Sequence, residues 1–149
     1  GYNPNKRSTW RVEQPSGNGI GTARSVAYLY SDLAMGGKEL KLKPSTLKIL
    51  YDKPQKPLLG YHDQVMNIET RYGAGFMKPD PEFKFSDNEA ALGFLGVTGS
   101  FAFADQKKKI GYAYFTRKMG CYGINDPREK SVRDAMYKAI KKLEEEKIK

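Results

Sequence analysis

The chain has 149 residues, of which 39% are hydrophobic and 12% aromatic, and its formal net charge is +9. This length and composition suit one domain with its own core and exclude a disordered chain. No apolar run approaches the roughly 20 residues that span a bilayer. The first residues also lack the charged-then-apolar pattern of a signal peptide. The sequence therefore predicts a single domain over residues 1–149 with no membrane span.

Cysteine and histidine are scarce, which limits the possible metal and redox chemistry. Cys121 and His62 are each the single residue of their type, so an internal disulfide and most cysteine- or histidine-based metal sites are excluded. No cofactor is predicted. One cysteine is compatible with a reducing, intracellular compartment. The sequence begins at Gly1 in a polar stretch, which suggests an excised piece of a longer polypeptide or the remnant of a tag.

The positive charge raises the possibility of a nucleic-acid partner. The lysines are spread along the chain, however, and cluster only at 107–109 and in the tail after Lys138, where three glutamates at 144–146 accompany them. We interpret the first cluster as a turn between strands and both clusters as solvated surface. Without a zinc-finger spacing or an RRM signature, nucleic acid is not the favoured partner.

The first half of the chain predicts two helices after an extended lead-in over residues 1–20, in which Trp10 is the large apolar anchor. Thr22 is a good N-cap for a helix from Ala23, and Gly36-Gly37 ends it because glycine accepts the left-handed C-cap conformation. A shorter helix begins at Pro44. The apolar residues at helical spacing are Val26, Ala27, Leu29, Tyr30, Leu33 and Ala34 in the first helix and Leu47, Ile49 and Leu50 in the second.

The second half predicts an antiparallel sheet and a terminal helix. We expect loop over 52–70, a short strand at 72–76 and a polar connection at 77–92. Thr98–Ala104 and Ile110–Arg117 are predicted to form a hairpin, whose two faces are both apolar enough to be covered by other elements. In the first of its strands Phe101 and Phe103 share one face, and Ala102 and Ala104 share the other.

The terminal helix is predicted to start at Asp126-Pro127, a cap followed by proline at the first helical position, and to end near residues 142–146. Its apolar stripe is expected to lie on the sheet and to consist of Val132, Ala135, Met136, Ala139, Ile140 and Leu143. The predicted fold class is therefore α+β, an antiparallel sheet flanked by helices with the C-terminal helix packed on the sheet.

Several segments, in this order, are similar to the class C β-lactamase-like family, which includes penicillin-binding-protein and esterase relatives. They are residues 15–24 (PSGNGIGTAR), 33–37 (LAMGG), 42–47 (LKPSTL), 71–76 (RYGAGF), 93–105 (GFLGVTGSFAFAD), 110–114 (IGYAY) and 126–129 (DPRE). The resemblance implies a partial β-lactamase-like sandwich, of which this chain would be the C-terminal part.

In that family a serine of an S-x-x-K motif attacks a carbonyl group, and the lysine and a tyrosine of Y-x-N handle its proton. A K-T-G or H-T-G element on the sheet's edge strand lines the cleft, and backbone N–H groups form the oxyanion hole. The resemblance places the nucleophile and the tyrosine upstream of this chain, and Y-x-N does not occur in it. The third element aligns on Phe94-Leu95-Gly96, a degenerate cleft edge that lacks the basic residue and the hydroxyl.

Three other sets of residues invite a chemical role. Ser45 and Lys48 satisfy S-x-x-K, but they fall on the predicted start of a surface helix, so we give them a low weight as a nucleophile pair. His62 and Asp63 could be a base and its orienter, although a loop histidine is the simpler interpretation. Val97-Thr98-Gly99 is interpreted as strand structure and Cys121 as a buried or incidental thiol.

The sequence thus favours a non-catalytic C-terminal segment of a β-lactamase-related serine hydrolase-like protein. Two alternatives stay open: an active serine acyl hydrolase once the upstream part is supplied, and a basic module that binds protein or nucleic acid. The expected partners are the upstream remainder of its own polypeptide and a second copy of the chain, because a sheet cut from a larger sandwich leaves an edge that needs cover.

Overall fold

The computed structural model describes residue 3 and residues 5–17 and 19–147. These residues contain the helices α1 (Arg7–Trp10), α2 (Ala23–Ala34), α3 (Pro44–Tyr51) and α4 (Pro127–Glu146). Their strands are β1 (His62–Asp63), β2 (Ile68–Glu69), β3 (Tyr72–Gly73), β4 (Phe76–Met77), β5 (Leu92–Leu95), β6 (Phe101–Asp105) and β7 (Ile110–Tyr114). The strands β1 and β2 form a small hairpin, and the others form an antiparallel sheet in the order β3-β4-β5-β6-β7. The predicted α+β class is confirmed.

The helix α2 begins and ends where the sequence predicts. The Thr22 hydroxyl accepts the N–H of Ser25 at 3.1 Å, and the Ser25 hydroxyl accepts the N–H of Thr22 at 3.1 Å, which is a reciprocal capping box. At the other end Gly36 and Gly37 have φ of 105° and 63°, the left-handed conformation that glycine adopts without steric cost. Of the predicted apolar positions, Leu29 is 44% exposed and lies off the contact face.

One face of the central sheet carries small residues, and α2 lies directly on it. Ala102 and Ala104 of β6 are buried there with Tyr30 and Leu33 of the helix. The closest approach is at Gly111 of β7, where an added Cβ would lie 2.1 Å from the backbone nitrogen of Ser31. The helix backbone can come this close only because β7 has no side chain at that position.

The opposite face carries the large aromatic residues. Phe101 and Phe103 pack with Phe83 and Phe85, and neighbouring rings have centroids 4.9–5.5 Å apart. All four side chains are at most 1% exposed, and burying a phenylalanine stabilises a fold by about 1.5–3 kcal/mol. The prediction that both faces of the hairpin are covered is confirmed. Its strands are shorter than predicted, since residues 96–99 form a turn.

Residues 77–92 are not the polar connection that the sequence predicts. Besides Phe83 and Phe85 this segment buries Lys78 and Asp80, and the Asp80 carboxylate accepts the N–H groups of Glu82 and Phe83 at 2.9 and 2.7 Å. The carboxylate therefore shapes the turn that delivers the two rings to the core. The many charged residues of this segment make its composition polar, so a prediction from composition misses the buried Phe83 and Phe85.

The predicted strand at 72–76 is also wrong, because it is a tight hairpin. β3 and β4 pair as Tyr72↔Met77 and Gly73↔Phe76, and the two residues between them, Ala74 and Gly75, have φ of 51° and 83°. Two positive φ angles define a two-residue turn whose twist matches that of the strands. Alanine is a rare residue at such a position, which is why the sequence does not signal the turn.

The lead-in is not wholly extended either, since α1 interrupts it. The Asn3 side chain accepts the N–H of Asn5 at 2.9 Å, and the Asn3 carbonyl accepts the Thr9 hydroxyl at 2.7 Å. Such local bonds from short polar side chains and backbone favour turns and helix starts over extended chain. Trp10 is 47% exposed and so is not a buried anchor.

The helix α4 has the predicted start and end but presents a different face to the core. Val132 and Leu143 are 49% and 57% exposed, and Ala135 and Ala139 are exposed as well. The buried positions are Glu129 and Arg133, whose side chains pair at 2.9 Å. Met136 and Ile140 of the predicted stripe are half-buried, as is Tyr137. The contact face therefore keeps these two predicted positions and turns towards Glu129 and Arg133.

Arg133 explains why this rotation is stable. Its guanidinium lies 5.4 Å from the centre of the Phe83 ring and donates to the Lys84 carbonyl at 3.3 Å. The buried charge is thus paired, hydrogen-bonded and stacked, as burial requires. No helix in the described ranges is long and apolar enough to cross a membrane.

Lys78 is a fully buried cation that joins α3 to the chain before β5. Its ammonium donates to the carbonyls of Leu50 and Ala90 at 2.5 and 3.3 Å. Burial lowers the pKa of Lys78 to about 8, and the nearby Asp52 carboxylate opposes this shift.

We expect Gly111→Ala to lower the free energy of unfolding by about 3 kcal/mol, because the new methyl group meets the backbone of α2 rather than a flexible side chain. Urea unfolding measures the change. Gly19→Ala is the matched control, since its methyl group has nothing within 4 Å. Equal stabilities of the two variants would contradict the close packing of α2.

Lys78 should make stability rise with pH. The native ammonium loses its proton near pH 8, whereas an unfolded lysine keeps it to about pH 10.4. Between these values the native state binds fewer protons than the unfolded state, so the free energy of unfolding increases with pH. Urea unfolding gives the free energy of unfolding from about pH 7.5 to about 9.5. Its increase with pH should be smaller for Lys78→Met than for the wild type, and the variant should be less stable than the wild type at every pH. Lys53→Met, at an exposed ion pair with Glu89, should keep the wild-type slope; a wild-type slope for Lys78→Met would contradict the assignment.

Candidate substrate-cleft wall at the end of β5

Phe94, Leu95 and Gly96 lie at the end of β5, in the middle of the sheet and not on an edge strand as the resemblance implies. β5 pairs with β6 as Phe94↔Ala102 and Leu95↔Phe101. On its other side the described register with β4 is one pair, Met77↔Gly93. The β4 side of Phe94 and Leu95 therefore faces a recess instead of a neighbouring strand.

That recess is a cavity of about 250 Å³ with an apolar wall. β5 supplies Phe94 and Leu95, the small hairpin and β3 supply one rim, and the chain before α4 supplies the other. The lining residues are Met66, Ile68, Thr70, Tyr72, Met77, Phe94, Leu95, Gly96, Val97, Gly123 and Ile124. The sequence identified Phe94, Leu95 and Gly96 as a cleft edge but did not assign the other residues to a site.

The lining contains hydroxyl groups but no charged side chain. Thr70 and Tyr72 supply the two hydroxyls. Burial raises the pKa of Tyr72, and the carboxylates of Asp63 and Asp80 add to this shift. The Tyr72 phenol is therefore neutral at neutral pH.

The resemblance predicts that the backbone at Gly96 faces a substrate. The N–H of Gly96 is already used, because it donates to the Ser100 carbonyl at 2.7 Å. The Gly96 carbonyl accepts the N–H of Gly99 at 2.9 Å, which closes a turn directly after β5. Thus Gly96 contributes close backbone approach to the cavity but no free N–H donor in this arrangement.

The turn after β5 rests on the start of α4. A Cβ added at Gly99 would lie 2.7 Å from a carboxylate oxygen of Asp126. Asp126 also accepts the backbone N–H of Arg128 at 3.0 Å, as the predicted cap. The Arg128 guanidinium holds the pKa of Asp126 below its usual range through a side-chain hydrogen bond. The N-cap of α4 thus fixes one rim of the cavity.

Val97-Thr98-Gly99 lies in this turn and not in a strand, so that interpretation is wrong. Val97 is 79% exposed, and the Thr98 carbonyl accepts the Thr116 hydroxyl at 3.0 Å. The contact ties the turn to the chain after β7.

Ser45 lies in the first turn of α3 and Lys48 in the second, and both are exposed. Neither lines the cavity at Phe94. The S-x-x-K pattern therefore lies on a surface helix, as the sequence predicts. A chemical role for it stays a prediction.

His62 and Asp63 form β1, and the hydrogen bonds of Asp63 are local. Its carboxylate accepts the N–H groups of Val65 and Met66, both at 2.9 Å. These bonds build the turn between β1 and β2, whereas His62 is exposed. Cys121 is a free, exposed thiol, which contradicts the buried alternative.

No group of three or more metal-ligating side chains occurs in the described part of the chain. The structure thus offers no candidate centre there for a metal ion. The prediction of no cofactor stays a prediction.

Two crystal structures share this architecture. A penicillin-binding protein homolog from Caulobacter crescentus is 36% identical, with a TM-score of 0.72 over 87% of this chain and 34% of its own. A family VIII carboxylesterase is 29% identical, with a TM-score of 0.74 over 89% of this chain and 36% of its own. The chain thus spans about a third of the length of each. A scan of protein-family models and a search of curated proteins gave no match.

These similarities give the chain a serine β-lactamase-like fold and confirm that part of the predicted resemblance. They relate it to the β-lactamase and esterase group.

Asp63→Ala should release the turn between β1 and β2, because the N–H groups of Val65 and Met66 lose their acceptor. We expect a local cost of about 1 kcal/mol and faster hydrogen exchange of these two amides. His62→Ala is the control and should leave both exchange rates unchanged. If His62→Ala accelerated them as much as Asp63→Ala, the turn-forming role of the carboxylate would be refuted.

Proposed function

We propose that the chain forms the substrate-cleft wall of a serine β-lactamase-like acyl hydrolase and is not catalytic by itself. The observation that carries the proposal is the position of Phe94-Leu95-Gly96. This segment aligns with the family's K/H-T-G element and lines a cavity at the end of β5. The similarity to a penicillin-binding protein homolog and a carboxylesterase supports the same assignment.

The chemistry of the cavity supports a wall without a nucleophile. Acyl transfer through a serine needs a hydroxyl within hydrogen-bond reach of a base. The hydroxyls in the lining belong to Thr70 and Tyr72, and neither lysine nor histidine accompanies them there. Phe94 can neither donate a proton nor carry charge. The cavity can therefore hold an acyl group, but its described lining does not bring together a nucleophile–base pair.

The serine and its base would come from an upstream part of the polypeptide, with residues 1–149 as one unit of the complete domain. The exposed apolar side chains of α4, among them Val132 and Leu143, support a partner that covers this helix. The alternative of an active serine acyl hydrolase, formed once the upstream part is present, involves the same cavity. The basic-module alternative and self-association stay predictions.

Intact-mass spectrometry after incubation with a penicillin, and separately with a fluorophosphonate, tests the proposal. We expect no adduct with either reagent, because no serine is activated. Ser45→Ala is the control for the single S-x-x-K pattern. A stoichiometric adduct that maps to Ser45 and is lost in Ser45→Ala would contradict the proposal and make the chain a serine acyltransferase.

A further inference from the structure

The cavity at the end of β5 opens onto exposed apolar side chains. Val65 and Val97 are 94% and 79% exposed, and Met66 and Phe94 about half exposed at 52% and 50%. Of these, Met66, Val97 and Phe94 also line the cavity. Isolated exposed apolar residues are ordinary, but a group of them around a concave apolar wall marks a binding site.

A second recess is lined in part by β1. It measures about 380 Å³ and shares Thr70 and Tyr72 with the cavity at Phe94. Leu59, which is 83% exposed, also lines this second recess.

The electrostatics of the lining decide what kind of chain would bind. Despite the net charge of +9, no lysine or arginine contributes to the cavity at Phe94. Phe94 stands at the position aligned with a cationic or imidazole residue. A carboxylate buried here would lose its hydration and gain no partner, which is a large cost. An uncharged group would lose nothing comparable.

We infer that the cavity at Phe94 binds the hydrocarbon chain of an uncharged acyl ester and discriminates against anionic ligands. The binding claim rests on the cavity alone, whereas its assignment to an acyl substrate rests on the function proposed above. The hydroxyls of Thr70 and Tyr72 are the polar groups of the lining that can bond the ester oxygens. An engineered apolar cavity of about 150 Å³ binds benzene, so a cavity of about 250 Å³ has room for a short alkyl chain.

The affinity for an acyl ester should increase with the length of its alkyl chain until the cavity is filled. Each methylene group transferred from water into an apolar site raises affinity about fourfold. Along the series methyl butyrate, methyl hexanoate and methyl octanoate, each step adds two methylene groups, so affinity should rise by about 15-fold per step until the cavity is filled.

Methionine methyl groups provide a site-specific readout. Met66 and Met77 line the cavity, whereas Met35, Met119 and Met136 do not. In the full chain labelled with [methyl-13C]methionine, titration with methyl octanoate should shift the Met66 and Met77 signals and leave the other three in place. Sodium octanoate should bind at least tenfold more weakly. Unmoved Met66 and Met77 signals, or equal affinity for the ester and the carboxylate, would overturn the inference.

Phe94→Lys and Phe115→Lys form a matched pair of variants, since the two rings are 50% and 42% exposed and only Phe94 lines the cavity. Phe94→Lys should weaken methyl octanoate binding at least tenfold and strengthen octanoate binding. Phe115→Lys should behave as the wild type. An equal loss in both variants would overturn the inference.

The titration tests the inferred ester-binding site and the acylation test the proposed non-catalytic function, and either one can be refuted without the other. Ester binding without a covalent adduct supports both proposals. If the ester does not bind and no adduct forms, the inferred apolar site is overturned, whereas the proposed non-catalytic function is not. Ester binding with an adduct at Ser45 keeps the site and overturns the non-catalytic function.

Discussion

The backbone of α2 lies against β7 at Gly111, and the rest of the sheet is arranged around that contact. A Cβ at this position would lie 2.1 Å from the Ser31 nitrogen, so only glycine is compatible with it. A helix that approaches a sheet so closely needs small residues beneath it, and Ala102 and Ala104 of β6 meet this need. Because side chains alternate along a strand, the large rings of Phe101 and Phe103 must then lie on the opposite face. There they pack with Phe83 and Phe85.

The same close packing positions the candidate cleft wall. A Cβ at Gly93 would lie 2.7 Å from the Ala102 carbonyl oxygen. The paired strands β5 and β6 therefore leave no room for a side chain at Gly93. Phe94 and Leu95 follow directly, where the pairing with β4 has ended at Met77↔Gly93. The turn that comes next rests on Asp126, the N-cap of α4. The wall of the cavity at Phe94 and Leu95 is thus held by strand pairing on one side and by the start of α4 at the turn that follows.

The sequence predicts the elements whose signals are local. The Thr22 cap, Pro44, the Phe/Ala alternation of β6 and the Asp126-Pro127 start of α4 all have the expected role. What it misses depends on long-range partners. The face of α4 is set by the buried pair of Glu129 and Arg133, which helical periodicity treats as a polar surface. The role of residues 77–92 in the core is hidden by their charges. For the site, the sequence identifies Phe94, Leu95 and Gly96 through the resemblance. It cannot identify Met66, Thr70 or Ile124, because loops bring these residues to the cavity.

The arrangement of the sheet depends on the contact between the backbone of α2 and Gly111 of β7, and this contact can be measured directly. In a nuclear Overhauser spectrum of the chain in solution, one Hα proton of Gly111 should give a strong cross-peak to the amide proton of Ser31. That result would place the helix backbone on the small-residue face of the sheet, with the sheet and the candidate cleft wall arranged as described. An assigned Gly111 without any cross-peak to α2 would contradict the packing of the helix and, with it, the positions of β5 and the cavity.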